Sequence, residues 1–256
     1  MIRLGICTSI DNAALMKEIG YDYVELGLSS IARMEEDEYQ DLLRKIKASP
    51  LPVESVNGML PGDFVLCSSE GTGEKIGAYL DQAFSRAEEI GIRMVVFGSG
   101  GARKLPEGMP EQEGYEYLAR FLRFAAEKAR RHGLRIAIEP LRAAECNIIN
   151  FVRDAQRLSA MTSCENVGAL ADQYHMMQGG DSYDALDNGI GIIHAHIAEK
   201  ENRSYPSRAD ACCPEYAEFF RRLKNAAYDG RVSIEGGTDD FPTDAREAFL
   251  TLDALR

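Results

Sequence analysis

The sequence predicts a closed (β/α)8 barrel, and three observations carry that prediction. Short apolar runs alternate with amphipathic stretches all along the chain, which implies parallel strands joined by helical crossovers. Eight strand-helix units can be counted, and a length of 256 residues suits a fold that typically needs ~250. No Gly-x-Gly-x-x-Gly follows the first strand, so an open dinucleotide-binding sheet lacks its phosphate fingerprint. Without a linker or a composition shift to divide it, the chain reads as one domain over 1–256.

The elements follow in order. Arg3–Cys7 is a first strand, and Asp11 is placed to cap a helix over Ala13–Ile19 that stops at Gly20. Residues 23–26 form the second strand, and 35–48 has helical composition until Pro50 and Pro52 break it. A third strand over 52–57 leads through a long loop, 58–71, to a helix over 73–90 closed by Gly91. The fourth strand, 93–97, runs into the glycine-dense segment 98–104, followed by a long helix, Glu111–Arg131. Strands at 134–138, Val167–Asp172, 192–196 and 231–235 alternate with helices at 148–161, 184–188, 215–226 and 243–255.

The last four strands share a grammar that points to chemistry. Each is an apolar run ending in a metal-ligand type: Glu139 before Pro140, then Asp172, His196 and Glu235. In a barrel all carboxyl ends open onto one face, so these four converge on one ring. Three carboxylates brought that close would raise one another's pKa unless a cation sits among them. The set is hard, favouring one divalent ion, Mn²⁺ or Mg²⁺, with Co²⁺, Fe²⁺ or Zn²⁺ as substitutes. His194 is read as a hydrogen-bonded packing histidine facing the helices, opposite to His196, and stays outside the set.

Glu25 and Asn57 end the second and third strands, where they either touch distal hydroxyls of a ligand or make structural hydrogen bonds. Segment 98–104, with Arg103 and Lys104, is either a backbone cradle for a phosphate or carboxylate or a plain flexible turn.

Composition limits the partners. With 41 acidic against 29 basic side chains the formal charge is −12, a poor match to phosphate backbones or anionic membranes. There is no leader-like start and no run of about 18 apolar residues, so a cytoplasmic protein is expected. Six cysteines without a Cys-x-x-Cys pair read as free thiols, Cys212 and Cys213 included. Exterior barrel helices commonly pair, which makes a homo-oligomer the expectation.

These residues also carry a resemblance. Glu139-Pro140-Leu141 with Glu145, Asp172-Gln173-Tyr174-His175, His194-Ala195-His196 through Glu199 with Arg203, and Ile234-Glu235-Gly236 together resemble the sugar isomerase/epimerase family of xylose isomerase-like TIM barrels, nearest to the D-tagatose and D-psicose 3-epimerases. The motifs cover the second half of the chain, and the first half agrees in its strand-helix rhythm. The resemblance implies that Glu139, Asp172, His196 and Glu235 hold the metal and that Glu139 and Glu235 are also the acid/base pair. It implies that Glu145, His175 and Arg203 hydrogen-bond the substrate, although the loop before Arg203 is one residue longer than the family pattern.

The implied chemistry is physically coherent. A proton α to a ketose carbonyl leaves only if charge on the resulting enediolate is stabilised, which a chelated metal does. One glutamate then removes the proton and the other returns one, giving an epimer or, at the neighbouring carbon, an aldose. The expected substrate is thus a ketose or ketose phosphate. Rival readings are an inosose dehydratase-like lyase, a non-catalytic sugar-binding barrel, and an endonuclease IV-like nuclease. The nuclease needs more histidines than four and a basic face.

Overall fold

The sheet closes on itself where the last strand pairs with the first. The computed structural model describes residues 1–187, 191–209 and 213–256. Its strands are β1 Arg3–Cys7, β2 Tyr23–Gly27, β3 Val53–Asn57, β4 Met94–Phe97, β5 Arg135–Ile138, β6 Val167–Asp172, β7 Ile192–Ile197 and β8 Arg231–Ile234. They pair in parallel in chain order, and β8 returns to β1. One set of side chains faces the helices: Leu4 and Ile6, Val24 and Leu26, Ile136 and Ile138, Val232 and Ile234 all join the large outer core. The period of two sends the intervening residues into the lumen.

That lumen has two unlike walls. Met94, Val96, Ala137 and Leu170 on β4 to β6 form a separate small apolar cluster. Opposite them, β2, β3, β7 and β8 contribute Tyr23, Glu25, Ser55, His194, His196 and Ser233, all fully buried. The functional groups therefore stand on a rigid, half-polar core.

The helices are α1 Ala13–Ile19, α2 Leu28–Arg33, α3 Glu36–Ala48, α4 Glu74–Ile90, α5 Gly100–Arg103, α6 Glu111–Arg131, α7 Val152–Thr162, α8 Gln173–Gly179, α9 Cys213–Asn225 and α10 Phe241–Asp253. Two of them, α2 and α8, start directly from strand ends and are unannounced by a loop in the sequence. Asp11 is not a cap: Ser9 Oγ accepts the Asp11 N–H at 3.2 Å to start a 3-10 turn, and α1 follows it. Segment 98–104 folds into the single turn α5. The expected helix at 148–161 begins only at Val152, because Asn150 Nδ2 bridges the Leu141 and Cys146 carbonyls at 2.7 Å and Ile149 stands at φ +59°, outside helical geometry. A 3-10 turn, Tyr183–Leu186, stands where a helix over 184–188 is expected, and position 188 lies outside the described residues.

Cys7, Cys67, Cys146 and Cys164 are free thiols, while Cys212 lies outside the described residues. Among the described residues no helix is long and apolar enough to cross a membrane.

Candidate metal centre

Inward alternation delivers all four strand-end candidates to one place. Asp172 closes β6 in register with His196 on β7, and Glu139 and Glu235 emerge one residue past β5 and β8. One ligand atom from each of Glu139, Asp172, His196 and Glu235 lies within 4.8 Å of the other three. The His196 ring is central: its Nδ1 is 3.1 Å from Glu139 Oε1, 3.4 Å from Glu235 Oε2 and 3.8 Å from Asp172 Oδ2.

The other edge of that ring decides what the cluster can hold. His196 Nε2 is 3.0 Å from Glu25 Oε1, and a carboxylate only accepts, so Nε2 carries a hydrogen. Nδ1 then turns its lone pair toward three carboxylates. Acceptors facing one another this closely require a positive charge between them, either a proton or a cation. An oxygen-rich set with one imidazole and no thiolate fits a hard divalent ion.

Cys7, Glu25 and His196 also approach one another within 4.8 Å. They suit a metal less well. Both Glu25 oxygens are already hydrogen-bonded, and burial together with the Glu25 charge pushes the Cys7 thiol well above its ordinary range.

Electrostatics separates the two glutamates. Burial, then the neighbouring Glu235, raises the Glu139 pKa. Burial acts the same way on Glu235, but His196 and Arg203 overcome it and bring the group down to about 2. Burial disfavours charge on His196 too, yet Glu25 and Glu235 raise its pKa well above the usual value.

Glu145, His175 and Arg203 gather at the rim. The peptide N–H of His175 donates to Asp172 Oδ1 at 3.0 Å, so Asp172 caps α8 and fixes where His175 stands. Arg203, held at φ +50°, donates from Nη2 to Glu235 Oε2 at 2.6 Å and lies 3.7 Å from Glu145 Oε2. Asn57 reaches the centre itself, its Nδ2 donating to Glu235 Oε1 at 2.8 Å.

The geometry decides two open readings of the sequence and corrects a third. Arg103 cannot cradle an anion: it is fully buried, and its guanidinium donates to the Phe97 and Glu139 carbonyls at 3.0 and 2.6 Å. Glu25 does not line the pocket, because it lies beneath His196 with no exposed surface. His194 does not face the helices either. Residues two apart share a strand face, and His194 Nε2 meets Glu25 Oε2 at 2.8 Å inside the lumen.

Other residues escaped the sequence reading. Ser55 and Ser233 donate to Glu25 Oε2 at 2.6 and 2.5 Å, and Arg142 Nε donates to Glu145 Oε1 at 2.8 Å. Polar residues at inward positions, two before Asn57 and Glu235, were the available signal for the serines. Arg142 sits in a loop, where periodicity gives none.

The model of the family described as xylose isomerase-like TIM barrel matches residues 13–255. The chain belongs to that family. It is 27% identical over 231 residues to 3-dehydro-D-guloside 4-epimerase of Escherichia coli (strain K12), an alignment covering 86% of this chain and 84% of that protein. A crystal structure of D-psicose 3-epimerase in the presence of D-fructose superposes with a TM-score of 0.84 at 18% identity, covering 99% of both chains. A structure of the IolI protein with a bound zinc atom superposes at 0.73 and 18% identity, over 99% of this chain and 96% of that one. The barrel is thus the architecture of the family.

Proposed function

We infer that the protein is a divalent-metal-dependent epimerase or isomerase of a keto sugar. The observation that carries this reading is the pair Glu139 and Glu235, three strands apart around the barrel, flanking one cation-demanding pocket. Relatives that bear epimerase names support it.

Glu139, Asp172, His196 and Glu235 would hold the ion, and their donor set favours Mn²⁺ or Mg²⁺. Such an ion, when bound, supplies Lewis-acid stabilisation of charge developing on the sugar's carbonyl oxygen. The chain's own residues do the rest. Arg203 holds Glu235 in place through its 2.6 Å hydrogen bond, and Glu139 and Glu235 would act as the acid/base pair, one removing the proton from carbon and the other returning one. Because the two carboxylates approach from different sides, removal and return occur on opposite faces. In the reverse reaction they exchange roles. Glu145, His175 and Arg203 offer hydrogen bonds at the rim to the adjacent hydroxyls.

With Arg103 committed to backbone carbonyls, that side chain supplies no phosphate clamp. The substrate class is a ketose or a ketose phosphate. The test is proton NMR and mass spectrometry of such sugars in D2O with Mn²⁺-loaded protein. Deuterium on the carbon beside the carbonyl, together with a new epimer, is expected. Loss of a hydroxyl would make the enzyme a dehydratase. No exchange with any keto sugar, despite bound metal, would overturn the reading.

A further inference from the structure

Beneath the centre lies a polar assembly that the proton-transfer account does not use. Glu25 on β2 is wholly buried and takes four hydrogen bonds. Oε1 accepts from His196 Nε2 at 3.0 Å, while Oε2 accepts from His194 Nε2 at 2.8 Å, Ser55 Oγ at 2.6 Å and Ser233 Oγ at 2.5 Å. Since Ser233 gives its proton to Glu25, Tyr23 must be the donor in the 2.6 Å Tyr23–Ser233 contact. The Tyr23 ring fits because position 5 is glycine: a Cβ there would lie 2.4 Å from the ring. These groups come from β2, β3, β7 and β8, so one carboxylate ties together the strands of the polar wall.

We propose that Glu25 is the positioning residue of the metal centre, fixing His196 as its Nε2–H tautomer so that Nδ1 alone points at the ion. This rests on the metal-centre reading above. Two features favour a purpose beyond packing. A buried carboxylate is costly unless each oxygen is satisfied, and here the donors are arranged so that the one pointing at the site is the histidine of the ligand set. His194 gives the complementary sign: with Nε2–H spent on Glu25, its Nδ1 is a buried acceptor without a partner among the described residues. His194 thus leaves its own Nδ1 unsatisfied while its Nε2–H orients Glu25.

The test reads the tautomer and the affinity, not turnover. In ¹⁵N-histidine-labelled wild-type protein loaded with Zn²⁺, long-range proton-nitrogen spectra should show His196 protonated at Nε2 and metal-bound at Nδ1. In Glu25→Gln, titration with Mn²⁺ should give a dissociation constant raised roughly 10- to 100-fold, with His196 no longer in a single tautomer. Glu25→Asp, which keeps the charge at a shorter reach, should recover part of the loss. Wild-type protein that binds metal through His196 Nε2, or a folded Glu25→Gln with unchanged Mn²⁺ affinity, would overturn the proposal and leave the metal centre standing. Wild-type protein that binds no metal would overturn both. The wild-type spectrum decides the matter even if the glutamine variant does not fold.

Discussion

Arg203 Nη2 lies 2.6 Å from Glu235 Oε2, and the same guanidinium rests 4.8 Å from the centre of the Tyr174 ring. The loop after β7 thus supplies a fixed cation to the carboxylate emerging from β8, and that carboxylate stays ionised. Replacing Arg203 with alanine removes a charge-assisted hydrogen bond of about 1.5–3 kcal/mol, so kcat/KM should fall roughly 10- to 100-fold. The acid limb of the pH–rate profile should also move to higher pH, because Glu235 loses a group that holds its pKa near 2. An unmoved acid limb would detach Arg203 from that role.

Glu139→Gln and Glu235→Gln each remove one member of the acid/base pair while keeping side-chain size. With metal at saturation, turnover should drop by about 10²–10⁴ in either variant, and sugar binding should survive within a few-fold. Kinetics paired with calorimetry separates the two effects. Wild-type turnover in either variant contradicts the assignment of that residue.

Metal loading should release protons. The folded-state pKa of His196 is raised, chiefly by Glu25 and Glu235 against the effect of burial. Its stabilising contribution is therefore fully present below the unfolded pKa of about 6.5 and is lost as pH rises through the folded value. The chelator-treated protein should lose thermal stability toward alkaline pH, whereas the metal-loaded protein should not. Calorimetry in buffers of different ionisation heat should give about one proton or more released per ion near neutral pH, with affinity rising with pH.

Arg103→Met tests the reassignment of that residue from ligand to scaffold. It strands the buried Glu139 carbonyl, while that of Phe97 still accepts the Glu139 N–H at 3.2 Å, and should cost about 1–3 kcal/mol in chemical denaturation. If phosphorylated sugars lose binding selectively in a variant that remains as stable as wild type, the anion-cradle reading returns.

Gly98 has a steric role at the centre. A Cβ at this position would lie 2.1 Å from Glu139 Oε2, so Gly98→Ala must push that carboxylate aside. Weaker Mn²⁺ binding is expected, with little change in the circular dichroism of the barrel.

Much of this site was legible because a barrel converts a one-dimensional sign into a three-dimensional one. An apolar run that stops at Glu139, Asp172, His196 or Glu235 announces both a strand and the side its end faces. Arg103 misled because charge next to glycines suggests an exposed loop, whereas α5 folds the side chain back under the ends of β4 and β5. Helix α8 was hidden for a related reason: Asp172 ends a strand, joins the ligand cluster and caps the helix, leaving no turn residues between. Glu25 reads in the sequence as a strand end, but β2 runs on to Gly27 and leaves Glu25 in mid-strand below the pocket, whereas Glu139 emerges one residue past β5.

The account turns on one cation among four side chains, and a crystal grown with Mn²⁺ tests it most directly. Anomalous diffraction should place a single strong peak bonded to Glu139, Asp172, His196 Nδ1 and Glu235. A peak outside that cluster, or none at saturating Mn²⁺, would contradict the metal centre and the chemistry built on it.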